Sequence, residues 1–282
     1  MQNFKGKVCV VTGAASGIGL AVSKEIAINC GGKVAMLDIN QAALDTAVEE
    51  VRDAGGDVIG IRCDVGVEDD VKAAVAKTVE HYGRLDYLAS NAARVSAAWT
   101  ARDAKFEGID ADYIMETFRI NTVGSFLMIK HCIPEMLKHS GGAIVCTSSV
   151  AARFGAAGNN IYGVTKAGLE ALVRGTAALY GRQGIRCNAI EPSNTMTPAY
   201  RETIAPDLYE GMLTGVFNPH FTEGDKIASV VAFLLSDDAY TIQGATIPVD
   251  NGYHINAGMS AAVEMMMKLK KNVSVFCFYR FL

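Results

Sequence analysis

The stretch Lys7–Leu20 reads KVCVVTGAASGIGL, an apolar run followed by three glycines and the start of an apolar helical pattern. The run Val8–Val11 predicts a strand that is buried on both faces. Gly13, Gly17 and Gly19 permit a tight turn in which the backbone can approach a pyrophosphate, and the N-terminus of the following helix attracts the anion. An ordinary strand-to-helix turn also uses glycine. The position after the first strand favours a dinucleotide site over that alternative.

Short apolar runs and longer helical patterns alternate from this stretch to the end of the strand-like run ATIPVD at residue 250. The runs are continuous in Val, Ile and Leu, which is typical of parallel strands that helices cover on both faces. We therefore predict an α/β protein with a doubly wound sheet of about seven strands. Residues 1–252 show no linker, so we interpret them as one domain, with residues 253–282 as a C-terminal extension.

The composition excludes several classes of protein. Of the 282 residues, 50% are hydrophobic and 20% are charged, which excludes a disordered chain. The formal net charge of −4 gives no basic field for nucleic acid. The seven cysteines include no C-x-x-C pair and have no histidine cluster near them, so neither a disulfide framework nor a metal site is expected. No signal peptide or membrane span is predicted, and we expect a cytoplasmic protein.

Asp38 stands 19 residues after Gly19, at the end of the second predicted strand. A carboxylate there can accept hydrogen bonds from the adenosine ribose and would repel a 2′-phosphate, so NAD is favoured over NADP. The alternative is a solvated turn carboxylate or a cap for the next helix. Asp64 and Val65 follow the third strand, where they could meet the adenine ring, although a helix cap explains Asp64 equally well.

Tyr162 and Lys166 are four residues apart on a predicted helix, so their side chains share one face. A lysine cation beside a phenol favours the phenolate and lowers its pKa toward working pH, as a general acid–base requires. Such spacing also arises on many solvated helix faces. Ser149 lies thirteen residues earlier, and its hydroxyl could hold a substrate oxygen. Ser148 would point to the opposite side, because side chains alternate along a strand.

In these motifs the chain resembles the short-chain dehydrogenase/reductase family. The motifs are Thr12-Gly13-x-x-x-Gly17-x-Gly19, Asn91-Ala92-Ala93, Asn121, Ser149 and Tyr162-x-x-x-Lys166. They follow the family's order and spacing over residues 4–252, and they imply a single-domain Rossmann-type doubly wound parallel sheet with helices on both faces. The resemblance implies four catalytic residues: Asn121, Ser149, Tyr162 and Lys166. It also implies a set of cofactor-binding residues: Gly13, Ser16, Gly17, Ile18, Gly19, Asp38, Ile39, Asp64, Val65, Asn91, Ala92, Ala93, Tyr162, Lys166, Pro192, Thr195 and Thr197.

The resemblance assigns roles to several of these residues. Asn121 would hold a water that links Lys166 to solvent, and Lys166 would also bind the nicotinamide ribose. Thr195 and Thr197 would hold the nicotinamide carboxamide, which implies transfer of the pro-S hydride. Two departures from the family pattern are alanine at position 93 and serine at position 193, where glycine is usual. Each adds a Cβ near the cofactor.

The substrate end of the site has weaker signals. Arg94 and Arg153 could bind an anionic group together, or they could be solvated or ion-paired arginines. Five aromatic residues could line a pocket or serve ordinary packing: Trp99, Phe154, Tyr200, Phe217 and Phe221. The stretch 258–282 departs from the family pattern. It could be an arm on a neighbouring subunit, an amphipathic membrane contact or a poorly ordered tail.

The leading hypothesis is an NAD-dependent oxidoreductase that interconverts a secondary alcohol and a ketone, with Tyr162 as general acid–base. An NADPH-dependent carbonyl reductase is one alternative, and Asp38 argues against it. A catalytically silent dinucleotide-binding sensor or scaffold is another, but it predicts loss of Ser149, Tyr162 or Lys166, and all three are present. The expected partners are a small-molecule alcohol or ketone and, by resemblance, further copies of the chain in a homotetramer or homodimer.

Overall fold

The described part of the chain is built around one main sheet of seven parallel strands. The fold comes from a computed structural model. It describes residues 2–103, 105–155, 159–196, 209–210, 213, 215–218 and 220–255. The strands are β1 (Val8–Thr12), β2 (Lys33–Asp38), β3 (Asp57–Arg62), β4 (Tyr87–Ser90), β5 (Gly142–Thr147), β6 (Ile185–Pro192), β7 (Thr195–Met196), β8 (Thr222–Glu223) and β9 (Thr246–Val249). The main sheet has the order β3-β2-β1-β4-β5-β6-β9, and the short strands β7 and β8 pair with each other in a separate two-stranded sheet.

Helices connect the strands as the periodicity predicts. They are α1 (Gly17–Lys24), α2 (Gln41–Asp53), α3 (Glu68–Tyr82), α4 (Ala97–Thr100), α5 (Ala111–Phe118), α6 (Gly124–Leu137), α7 (Asn160–Tyr180) and α8 (Gly224–Leu235). The parallel register requires a crossover after every strand of the main sheet, and each crossover places a helix on one face. No helix within the described ranges is long and apolar enough to cross a membrane.

The core has two halves, one on each face of the sheet. Helices α1, α2 and α8 cover one face, where residues such as Val22, Leu44 and Val231 are buried. Helices α3, α6 and α7 cover the other, where Val71, Met128 and others are buried. The strands between them are apolar on both sides because both sides are covered. The predicted doubly wound parallel sheet is therefore confirmed.

A π-helical turn over Arg119–Val123 interrupts the long helix that the sequence predicts between residues 113 and 138. The helical path continues through it from α5 into α6. Asn121 lies inside this turn and is fully buried. Turns of this kind are frequent at functional sites, because the extra residue redirects a side chain.

The predicted C-terminal extension is described only at its start, where Tyr253–Ile255 form a 3-10 turn. Residues 256–282 lie outside the described residues, so the three interpretations of stretch 258–282 remain predictions. The division into residues 1–252 and 253–282 also remains a prediction. The long segment after Thr195 is described only in part, and Thr197 and Tyr200 lie outside the described residues.

Candidate active site

The glycine turn joins β1 to α1 at the carboxyl edge of the sheet. Gly13 and Gly17 have positive φ values of 63° and 54°, a region that residues with a Cβ seldom adopt. A Cβ on Gly19 would clash with the carbonyl oxygen of Gly13. The turn therefore requires these glycines, and it leaves the N-terminus of α1 open to an anion.

Thr12 connects the glycine turn to the loop after β4. Its hydroxyl oxygen accepts hydrogen bonds from the backbone N–H groups of Asn91 and Ala92, at 2.9 and 3.0 Å. The Asn91 amide lies beside Gly13 and Gly19. The two loops that the sequence assigned to a cofactor therefore share one edge of the sheet. The role of Thr12 as the link was not predicted, because its partners are about 80 residues away in the chain.

Asp38 ends β2 next to the glycine turn. One carboxylate oxygen accepts from the backbone N–H of Ala15 at 3.1 Å, and the other accepts from Asn40 at 3.0 Å. Each oxygen retains a lone pair for a further donor, such as a ribose hydroxyl. Ile39 beside it is half exposed, while Ser16 and Ile18 lie at the start of α1. This turn, its helix N-terminus and the nearby carboxylate together fit the adenosine and pyrophosphate parts of a dinucleotide.

Asp64 follows β3 and forms an ion pair. Both of its carboxylate oxygens accept from the Arg119 guanidinium at 3.2 Å, and the backbone N–H of Gly66 donates to it at 2.9 Å. The neighbouring Val65 is buried and lies against Gly124. These contacts fix the loop after β3. The adenine contact of Asp64 and Val65 remains a prediction.

Ser149, Tyr162 and Lys166 meet at the carboxyl ends of β5 and β6. Ser149 stands just after β5, where its hydroxyl accepts from the Ala151 N–H at 3.2 Å. The Lys166 ammonium group donates to the carbonyl oxygen of Thr147 at 2.6 Å and lies 5.6 Å from the centre of the Tyr162 ring. The Ser148 hydroxyl donates to Glu170 at 2.7 Å, away from this group. The structure thus brings together the three residues that the sequence selected.

The pKa values of the pair differ from the sequence-based expectation. Burial raises the pKa of Tyr162 to about 12, and hydrogen bonding with the Ser149 hydroxyl lowers it only in part. Burial lowers the pKa of Lys166 to about 8. The expectation that Lys166 lowers the pKa of Tyr162 was therefore wrong for the protein without cofactor. Removal of water from the phenol has the larger effect.

Asn121 lies between the loop after β4 and helix α7. Its side-chain oxygen accepts from the backbone N–H of Arg94 at 2.9 Å, and its amide donates to the Thr165 hydroxyl at 3.1 Å. Thr165 in turn donates to the carbonyl oxygen of Tyr162 at 2.6 Å. These contacts place Asn121 against the helix that carries Tyr162 and Lys166. The water that it is predicted to hold remains a prediction.

Arg94 and Arg153 each have an acidic partner. Arg94 pairs with Glu116 at 2.7 Å and also stacks on Trp99. Arg153 pairs with the buried carboxylate of Glu191 at 2.6 Å. The structure therefore favours the ion-paired alternative, since both guanidinium groups are already neutralised. A shared anion site for Arg94 and Arg153 finds no support in these contacts.

The nicotinamide end is described in part. Pro192 closes β6 and Thr195 opens β7, and Thr197 lies outside the described residues. Ser193, where the family has glycine, donates through its hydroxyl to the carbonyl oxygen of Asp250 at 3.1 Å. The Thr195 hydroxyl donates to the Ser193 carbonyl at 3.1 Å. Ser193 thus connects the loop after β6 to the residue that follows β9.

The aromatic residues fall into two groups. Trp99 is half-buried and donates to Thr117, and Phe221 is buried, so these two serve packing. Phe154 and Phe217 are exposed, and Phe154 makes an edge contact with Tyr253, with ring centres 6.1 Å apart. Phe154 lies five residues after Ser149. An apolar surface thus borders the loop that holds Ser149.

Comparisons with known proteins agree with this geometry. A family model described as enoyl-(acyl carrier protein) reductase matches residues 13–254. The chain is 32% identical over 256 residues to the 7alpha-hydroxysteroid dehydrogenase of Bacteroides fragilis, covering 91% of this chain and 97% of that protein. It is 33% identical over 254 residues to a 2,5-dichloro-2,5-cyclohexadiene-1,4-diol dehydrogenase of Sphingobium indicum, covering 90% and 98%. The chain belongs to the short-chain dehydrogenase/reductase family.

Solved structures of the short-chain dehydrogenase/reductase family share the fold. A 7 alpha-hydroxysteroid dehydrogenase complexed with NADH and 7-oxo glycochenodeoxycholic acid is 28% identical, with a TM-score of 0.82, over 89% of this chain and 95% of that chain. Levodione reductase is 29% identical, with a TM-score of 0.83, over 90% and 99%. Membership makes the chain an oxidoreductase of the dehydrogenase/reductase type. Within the described ranges, no group of three or more His, Cys, Asp or Glu could hold a metal ion.

Proposed function

We propose that the chain is an NAD-dependent oxidoreductase that interconverts a secondary alcohol and a ketone. The observation that carries this proposal is the meeting of Ser149, Tyr162 and Lys166 at the same edge of the sheet as the glycine turn. Two relatives are dehydrogenases of a hydroxysteroid and of a cyclohexadiene diol, which supports a cyclic secondary alcohol.

The bound cofactor supplies or accepts the hydride. The glycine turn and the N-terminus of α1 would hold its pyrophosphate, and Asp38 would hold its adenosine ribose. On the nicotinamide side, Lys166 would hold the ribose and the loop from Pro192 to Thr197 the carboxamide. Asp38 favours NAD, because its carboxylate would repel the 2′-phosphate of NADP. The structure of a related hydroxysteroid dehydrogenase with NADH supports the same choice.

Tyr162 moves the proton in this mechanism. With a pKa of about 12, its phenol is protonated at neutral pH, which is the form that donates a proton to a ketone oxygen. The Ser149 hydroxyl holds that oxygen and donates to it as negative charge develops. Oxidation of an alcohol needs the phenolate, which the positive charge of a bound oxidised nicotinamide would favour. With a pKa of about 8, Lys166 is largely charged at neutral pH.

We further propose that two or four copies of the chain associate through helices α5 to α7. Large apolar side chains on these helices and on the π-helical turn between them are exposed in the single chain. They are Met115, Val123, Phe126, Val164 and Leu179. An apolar surface of this kind is typical of a face that another protein covers.

The test is reduction of NAD⁺ and of NADP⁺ by purified protein over a panel of secondary alcohols: steroids, cyclic diols, polyols, hydroxy acids and aryl alcohols. We expect turnover with at least one alcohol and a preference for NAD⁺. A preference for NADP⁺ would favour the carbonyl-reductase alternative. NADH binding without turnover of any alcohol or ketone would favour a silent sensor.

A further inference from the structure

Helix α7 carries Tyr162 in its first turn, so the start of this helix determines where the phenol lies. The residue before the helix, Asn159, makes no side-chain capping hydrogen bond. A carboxylate oxygen of Asp103 instead accepts from the backbone N–H of Tyr162 at 3.0 Å. The backbone carbonyl of Asp103 accepts from the Asn159 N–H at 3.1 Å. Asp103 therefore caps the catalytic helix from 59 residues earlier in the chain.

The cap is buried, which is unusual for an aspartate. Asp103 is 2% exposed, whereas aspartates that cap helices usually lie at the surface. Its second carboxylate oxygen is buried and has no hydrogen-bond partner among the described residues. Burial of a carboxylate costs stability, and the N-terminal dipole of α7 and the Tyr162 N–H offset part of that cost.

The charged and titratable groups around Asp103 do not neutralise it. The nearest arginine in sequence, Arg102, pairs with both oxygens of Asp110 and stacks on Trp99 and Tyr113. The Tyr113 hydroxyl is buried near Asp103, and burial, the charge of Asp103 and interaction with the Asp103 side chain raise the pKa of Tyr113. Asp103 therefore interacts with Tyr113 on α5 as well as with the start of α7.

Asp103 belongs to the loop between β4 and α5, which begins at Asn91 beside the glycine turn. This loop is also tied to α7 through Asn121, which contacts both Arg94 and Thr165. Asp103 contacts the backbone N–H of Tyr162 directly. Because Asp103 holds the backbone N–H of Tyr162, movement of the loop would also move the Tyr162 phenol.

We propose that Asp103 is a positioning residue that holds Tyr162 at the reacting oxygen of the substrate. The proposal rests on the proposed role of Tyr162 in proton transfer. A displacement of about 1 Å in a catalytic group can lower turnover by about 100-fold. Loss of the cap therefore lowers kcat and leaves KM for NAD⁺ and the affinity for NADH unchanged.

The experiment compares Asp103→Ala with Asp103→Asn and with Asp110→Ala, using the best alcohol and counting active sites by NADH titration. Asp110 makes a matched control, because it caps α5 through the Tyr113 N–H at 2.7 Å, in the same part of the chain. We expect kcat per NADH site to fall by about 10- to 100-fold in Asp103→Ala. Asp103→Asn keeps an acceptor oxygen for the Tyr162 N–H and should stay within about threefold of wild type. The kcat of Asp110→Ala should also stay within about threefold of wild type.

A kcat within about threefold of wild type in Asp103→Ala would overturn the proposal, and so would an equal loss in Asp110→Ala or in Asp103→Asn. If Asp103→Ala does not fold, Asp103→Glu tests the proposal in its place. This variant keeps the charge and moves the acceptor oxygen by one methylene. A loss of at least about fivefold in kcat is expected for that variant, and no loss would overturn the proposal. A Tyr162→Phe enzyme that still turns over would instead remove the proposed function on which this inference rests.

Discussion

At the scale of single residues, we propose two tasks for Asp38, because it supports the glycine turn and would hold the adenosine ribose. Its contact with the Ala15 N–H at 3.1 Å stabilises the turn through an acceptor oxygen, whereas repulsion of a 2′-phosphate needs the negative charge. Asp38→Asn keeps the acceptor oxygen for the Ala15 N–H and removes the negative charge. We expect Asp38→Ala and Asp38→Asn to raise the ratio of kcat/KM for NADP⁺ over NAD⁺ by about tenfold or more.

The comparison of the two variants separates these tasks. Asp38→Ala should also weaken binding of both cofactors, because the turn loses its acceptor, and Asp38→Asn should not. Steady-state kinetics with both cofactors measures the ratio. An unchanged ratio in both variants would show that another group selects the cofactor.

Burial of Lys166 gives the free protein a specific pH dependence. The pKa of Lys166 is about 8 in the folded protein, against 10.5 for a lysine side chain in water, so the unfolded chain holds this proton more tightly. The folded state therefore gains stability from this group as pH rises from about 8 to about 10.5. The substitution Lys166→Met removes the contribution of this group to the pH dependence of stability.

The free energy of unfolding of Lys166→Met minus that of wild type should be about 2 kcal/mol larger at about pH 7 than at about pH 9.5. Urea unfolding of both proteins without cofactor, at both pH values, measures this double difference. Other titrating groups cancel in it. A difference of zero would mean that the ammonium group is solvated in the folded state.

Sequence patterns located the site residues that act through local spacing, and they missed those that act through the fold. Tyr162 and Lys166 are four residues apart on one helix, so their proximity follows from helix geometry. Asp103 and Thr12 contact partners 59 and about 80 residues away, which no local pattern encodes. The raised pKa of Tyr162 was also missed, because it depends on how much water the fold removes.

At the scale of elements, the glycine turn and α1 form a unit whose geometry depends on Gly19. We expect Gly19→Ala to weaken NADH binding by at least about tenfold, because its Cβ would clash with the Gly13 carbonyl and force the turn open. Gly108→Ala is the control, since a Cβ there meets no atom within 4 Å. Fluorescence titration with NADH gives both affinities. Equal affinity in Gly19→Ala and wild type would contradict a cofactor role for this turn.

Strands and helices of the main sheet were predictable because burial on both faces leaves a strong apolar signal. The helix predicted over residues 160–181 is observed at Asn160–Tyr180. The π-helical turn at Arg119–Val123 was not predictable, since its residues fit an ordinary helix equally well. Strand β5 ends at Thr147, and the Ser148 hydroxyl that follows it donates to Glu170 on α7.

At the scale of the whole molecule, the exposed apolar side chains of helices α5 to α7 predict association. We expect a mass in solution of two or four times the 30.0 kDa of the chain. Phe126→Asp should reduce it toward the monomer, because a charge in the centre of an apolar interface is costly. Phe106→Asp is the control, since Phe106 is exposed and lies outside these helices. Sedimentation analysis that shows a wild-type monomer would remove this proposal.

The proton transfer by Tyr162 is the central claim, and the most direct measurement of it is turnover by Tyr162→Phe. Wild type and variant are compared in reduction of NAD⁺ with the best alcohol of the panel, together with NADH affinity. Phenylalanine keeps the ring and removes only the hydroxyl. The account predicts a loss of at least about 1,000-fold in kcat with NADH affinity within about threefold of wild type. Substantial turnover by Tyr162→Phe with normal NADH binding would contradict it.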